Sequence, residues 1–194
     1  GSALSSPPTE ASAKGFYYKA VSLETVGFIR HYGARNLDDI KLIDVDTAIE
    51  EALLFKQYGG NSLVDVTSIG LARDPQGLAR ISRTTGLNIV MGGGYYVSQA
   101  HPQNMDRLSE DDLVEEICQD VINGVGNSTI KTGIIGEVGC SWPMTHNELK
   151  VLRASGRAQQ ITGAPLTIHP GRDEASPIEI IEILSEVGAD LNRT

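Results

Sequence analysis

Two residues stand where an α/β chain places its chemistry. Glu137 closes the apolar run Gly133-Ile134-Ile135-Gly136, and His169 closes Ala164-Pro165-Leu166-Thr167-Ile168. Each is expected at the C-terminal end of a short strand, the end at which parallel α/β folds build their sites. Neighbouring parallel strands run about 4.8 Å apart. A carboxylate and an imidazole on adjacent tips can therefore share one cation, and both are good ligands for Zn²⁺ and similar ions. The same two residues could instead hydrogen-bond loop backbone, and spacing by itself leaves both readings open.

The elements that must position these groups are readable from pattern. A helix is predicted over 45–58, with Ile49, Leu53, Leu54 and Tyr58 at helical spacing and Gly59-Gly60 after it. Strands are predicted from Leu63, Leu87, Gly133 and Ala164-Pro165. Between them, Asp74-Pro75 opens a helix that Gly86 ends, and Ser109-Glu110-Asp111-Asp112 opens another. Thr145-His146-Asn147-Glu148 and Ser176-Pro177-Ile178-Glu179 have capping-box spacing, and their helices stop at Gly163 and Gly188. Strand-helix alternation means right-handed βαβ units and a parallel sheet. The strands recur about every 34 residues, so eight units would need roughly 270, close to the size of an eight-stranded barrel. Four strands make either a small open sheet or about half of that barrel.

Composition narrows the function classes. The 194 residues carry 16 Lys+Arg against 25 Asp+Glu, a formal charge of −9 that repels phosphate backbones and argues against a nucleic-acid partner. No run of 18 apolar residues exists to span a membrane. Cys118 and Cys140 are too few for a disulfide framework and are expected as reduced thiols in a cytoplasmic protein. The chain opens Gly1-Ser2 without an initiator Met, as a tag remnant or a chain cut from something longer would. Residues 1–14 are small and polar with Pro7-Pro8, which predicts a flexible tail; 15–194 is expected to be a single incomplete barrel domain.

Five colinear segments between about residue 42 and the end resemble the phosphotriesterase family of the amidohydrolase superfamily. They are Val64-Asp65-Val66-Thr67-Ser68-Ile69-Gly70-Leu71-Ala72-Arg73-Asp74, Thr85-Gly86-Leu87-Asn88-Ile89-Val90-Met91-Gly92-Gly93-Gly94-Tyr95-Tyr96, Gly133 to Gly139, Glu148 to Ala154, and Ile168-His169-Pro170-Gly171-Arg172. The run Gly136-Glu137-Val138-Gly139-Cys140-Ser141-Trp142-Pro143 resembles the animal phosphotriesterase-related branch. The resemblance implies a TIM (β/α)8-barrel hydrolase with two divalent metal ions, of the zinc type. It implies Glu137 as the bridging carboxylate, His169 as a ligand of the second metal, and Tyr96 as a pocket-lining residue. A hydroxide bridging the ions would attack an ester or amide carbonyl of a small-molecule substrate. Organophosphate-cleaving members have a carboxylated lysine where this chain has Glu137, so an N-acyl amide is the expected substrate rather than a phosphotriester. The family's His-x-His pair is missing, the histidines being His31, His101, His146 and His169. The matched segments correspond to barrel strands two to five and carry two of six expected ligands, Glu137 and His169. A catalytic zinc needs three protein ligands, so the chain by itself is expected to be inactive, and its open sheet edges permit pairing or homo-oligomers.

Other residues have narrower readings. Arg172 is a candidate for holding an anionic substrate tail, against an ion pair with Asp173 or Glu174. Arg73-Asp74 fits a helix cap with a local ion pair. His101 and His146 are expected to face solvent, Cys140 to be a buried thiol, and Trp142 to pack over the barrel rim. The competing functions are a non-catalytic truncated interaction module and an open α/β domain unrelated to hydrolases.

Overall fold

The structure is a computed structural model that describes residues 5–33 and 35–194. Residues 1–4 of the expected tail lie outside the described residues. The chain forms two compact units that divide between Asp44 and Val45.

Among the described residues the first unit holds three short helices, α1 (Ala11–Tyr17), α2 (Val26–Tyr32) and α3 (Leu37–Ile40). Its polar centre is Asn36, which is fully buried. The Asn36 amide donates to the Phe16 and Lys19 carbonyls at 2.8 Å each, and its oxygen caps α3 by accepting from the Asp39 N–H at 2.9 Å. Phe16 and Phe28 stack with centroids 4.6 Å apart.

The second unit is the expected alternation: α4 (Val45–Gln57), β1 (Ser62–Asp65), α5 (Pro75–Thr85), β2 (Asn88–Gly93), α6 (Glu110–Ile122), β3 (Ile134–Gly139), α7 (His146–Thr162), β4 (Leu166–His169) and α8 (Ser176–Glu186). The four strands form one parallel sheet in the order β1-β2-β3-β4. This open sheet has half the strands of a closed (β/α)8 barrel. Ile135, Val138 and Leu166 pack against Leu113 and Ile117 of α6, Val151, Leu152 and Ala158 of α7, and Ile180 and Leu184 of α8. Each large side chain so buried stabilises by about 1.5–3 kcal/mol. No helix among the described residues is long and apolar enough to cross a membrane.

Helix starts follow local chemistry. Asp74 accepts from the Gly77 N–H at 2.9 Å with Pro75 at the first turn of α5, and Gly86 ends that helix at φ 68°. Ser109 with Asp112, and Thr145 with Glu148, form complete capping boxes. Two local expectations are corrected. Ser176 does not cap α8: it is the helix's first residue, fully buried, and its hydroxyl accepts from the Gly171 N–H at 2.9 Å, which ties the loop after β4 to the helix. Arg73 does not pair with Asp74. Its guanidinium lies 2.8 Å from the Asp120 carboxylate on α6, each side chain 7% exposed, and reaches the Gly92 carbonyl at 3.3 Å. Asp74 is committed to its cap, whereas the buried Asp120 needs a cation; burial pushes its carboxyl up and Arg73 draws it back down.

Candidate functional site: the tips of β3 and β4

Glu137 reaches the site because β3 breaks its own alternation. Ile135 pairs with Leu166, Val138 with Ile168 and Gly139 with His169, so β3 spends three steps where β4 spends two. Strict alternation would put Glu137 on the face of Ile135, against the helices. The extra residue resets the parity. Ile135 and Val138 are both fully buried on the helix-covered face, and Glu137 emerges on the other face beside His169. Gly136, at the irregularity, has φ 122°, and a Cβ there would fall on the Thr167 carbonyl oxygen.

On that face Glu137 Oε2 lies 3.2 Å from His169 Nδ1. The two side chains are 29% and 42% exposed, so the pair meets solvent on one side and protein on the other. The Glu137 N–H donates to the Val66 carbonyl at 3.1 Å, and the His169 carbonyl accepts from the Cys140 N–H at 2.9 Å, so both residues are fixed by strand-end backbone. Tyr96, just beyond β2, sets its ring 5.2 Å from the His169 ring at 66°. Burial raises the Tyr96 phenol, the Glu137 charge raises it further, and Arg172 opposes them. Arg172 lies exposed on the loop after β4 and, among the described residues, pairs with neither Asp173 nor Glu174. The structure thus brings Glu137, His169 and Tyr96 together at the strand tips, with the Arg172 cation close enough to act on Tyr96. Among the described residues no group of three His, Cys, Asp or Glu converges as a metal cluster.

Two residues outside the expected set shape the site. Glu148 appears in sequence as a capping-box acid, but it is fully buried and does more than cap α7. It accepts from the Ser98 N–H at 2.8 Å, the Thr145 N–H at 2.9 Å, and both the N–H and the hydroxyl of Ser141, at 3.3 and 2.5 Å. It therefore pins the loop after β2 to the loop after β3. Burial pushes its carboxyl up, and these four bonds outweigh it to hold the carboxyl below the usual range. His101 is not solvent-facing as expected. Its ring lies edge-on to Tyr95 at 6.1 Å and its Nε2 is 2.7 Å from the Tyr96 carbonyl. The Pro102 that follows gives no sequence signal for such a contact. His146 is exposed and Cys140 buried, as expected, while Trp142 remains 39% exposed.

A phosphotriesterase-family model matches residues 9–194. The N-acetyltaurine hydrolase of Dictyostelium discoideum is 42% identical over 173 residues, 89% of this chain and 47% of the relative. That of Homo sapiens is 38% identical over 189 residues, 97% of this chain and 53% of the relative. Among solved structures, a resiniferatoxin-binding protein from Rhodobacter sphaeroides superimposes with a TM-score of 0.92 at 37% identity, covering 97% of this chain and 53% of that one. A phosphotriesterase homology protein from Escherichia coli, with phosphate in its active site, gives 0.77 at 26% identity over 90% of this chain and 57% of that one. The chain spans about half the length of the curated relatives it matches.

Proposed function

The chain belongs to the phosphotriesterase family, and from that premise we propose that it supplies half of a binuclear metal-dependent hydrolase centre that cleaves an ester or amide bond, an N-acyl amide in preference to a phosphotriester. The observation that carries this is the 3.2 Å approach of Glu137 Oε2 to His169 Nδ1 on the open face of the sheet.

The donor set fits a divalent ion of the zinc type: one carboxylate, one imidazole, both part-exposed and fixed by backbone. Glu137 and His169 would hold it. Two such ions, when bound, lower the pKa of a shared water and polarise the scissile carbonyl. The chain's own residues orient and bind. With its proton on Nε2, His169 would present the Nδ1 lone pair beside Glu137 Oε2, 3.2 Å away, so that both would be available to the same ion. Tyr96 covers one flank of the His169 ring and narrows the approach of bulk water. Arg172 offers a planar fork of donors to an anionic substrate tail. Relatives named for N-acetyltaurine act on an N-acyl amide whose far end is a sulfonate, which suits that cation. Among the described residues two ligands converge where a catalytic zinc takes three, so the 194 residues alone bind metal weakly and do not turn over substrate.

The test is a Zn²⁺ titration of the chain followed through the His169 ring resonances. They should shift on addition of metal in the parent and stay put in Glu137→Ala. Equal shifts in both, or none in the parent, would end the metal reading. Substrate class is tested on a chain with all eight strands, where N-acyl amino acids should be hydrolysed faster than phosphotriesters.

A further inference from the structure

His101 follows a single 3₁₀ turn, Ser98–Ala100, in the loop after β2. Its Nε2 faces the Tyr96 carbonyl at 2.7 Å. A carbonyl oxygen only accepts, so Nε2 carries the proton. Nδ1 is buried and has no hydrogen-bond partner among the described residues. Side-chain packing holds the ring in this pose: Tyr95, itself buried, lies edge-on to it, and Tyr95 in turn donates to Glu116 on α6. The loop is anchored on both sides of the histidine, by Ser98 N–H on Glu148 and by Ala100, whose carbonyl the Gly70 Cα approaches so closely that no Cβ fits. The residue whose main chain His101 grips is the one whose ring lies against His169.

We propose that His101 is a positioning residue: by donating Nε2–H to the Tyr96 carbonyl it fixes the Tyr96 ring against His169 and so sets the wall of the Glu137–His169 site. The proposal rests on reading that pair as the site. Three groups face the imidazole: Tyr95 from β2's end, and Glu148 and Lys150 from α7. Burial is the largest influence on the imidazole and lowers its pKa; the Tyr96 carbonyl and Glu148 pull it back up, and Lys150 lowers it again. A second proton would have to sit on the buried, unpartnered Nδ1, so the clamp works with the neutral ring.

The experiment is NMR on the 194-residue chain with ¹⁵N-labelled histidine. In the parent, His101 should show the Nε2–H tautomer, and His169 ring protons should show a cross-peak to the Tyr96 ring. His101→Phe keeps an aromatic ring but no donor, and should lose that cross-peak while the Ile135 and Leu152 methyl shifts stay in place. His101→Gln reaches the carbonyl with an amide N–H and should restore it. An Nδ1–H tautomer in the parent would overturn the proposal even if no variant folds, as would a cross-peak retained in His101→Phe. A Zn²⁺ titration of the same samples separates the two readings. Loss of the cross-peak in His101→Phe with no zinc effect on His169 leaves the clamp standing and removes the metal. A zinc effect that persists with an unchanged cross-peak does the reverse.

Discussion

Replacing Glu148 by Gln tests whether one buried carboxylate holds the site's loops together. The side chain is fully buried and its two oxygens serve four donors. An amide of the same shape has one oxygen. In its better orientation that oxygen keeps Thr145 and Ser141, and the amide nitrogen then meets the Ser98 N–H, donor against donor. Orphaning a buried N–H costs about 1–3 kcal/mol, and each retained bond that loses its charge weakens by about 1 kcal/mol. The expected loss is about 4–6 kcal/mol, which in urea at a slope of about 2 kcal/mol/M lowers the midpoint by about 2–3 M. The loss depends on pH with a definite sign. Glu148 is held below the ordinary carboxylate range in the fold. Its ionised form therefore stabilises fully above the unfolded value of about 4.3, and that stabilisation fades as pH falls through the depressed folded value. The gap between parent and Glu148→Gln should be full at neutral pH and shrink in acid. A midpoint within about 0.3 M of the parent at neutral pH would refute the reasoning. So would a gap that stays constant into strong acid.

Two further outcomes follow from backbone and ion-pair geometry. Asp120→Ala leaves the Arg73 charge buried and should cost about 3–5 kcal/mol, whereas Arg73→Met with Asp120→Leu should recover much of it; urea unfolding of the three chains measures this, and a single variant within about 1 kcal/mol of the parent contradicts it. Gly136→Ala must place a methyl on the Thr167 carbonyl at φ 122° and should lower the thermal midpoint by about 5–10 °C, checked by calorimetry, with an unchanged midpoint as the refuting result.

Much of the second unit is readable in the sequence because its signals are local. Asp74-Pro75, Ser109 with Asp112, and Thr145 with Glu148 satisfy backbone donors within one turn, and the structure uses each as a cap. The four strands likewise begin within a residue of their expected starts. What the sequence conceals depends on partners far along the chain. Arg73 finds Asp120, 47 positions away, because burial selects a cation for that acid. Ser176 has the type and spacing of a cap but is turned inward to the Gly171 N–H. His101 looks like a loop histidine until the Tyr95 ring and the Tyr96 carbonyl close on it. The helices α1, α2 and α3 are short and carry no sustained apolar period; contacts such as Asn36 to Phe16 and Lys19 support them instead. That Glu137 and His169 sit on neighbouring strand tips is readable from spacing, but their closeness also needs the step in β3, of which Gly136 inside an apolar strand is a local but weak sign.

That step has a consequence for how the strand can vary. Because one surplus residue separates Ile135 from Val138, the two halves of β3 keep independent phase. Bulk at the Ile135 end can be exchanged to suit the helices without rotating the acid at the other end. Removing a single residue between them would instead swap inside for outside along the whole distal half, carrying Glu137 into the oily layer and Val138 into water. Length, more than side-chain identity, is the quantity this strand must conserve.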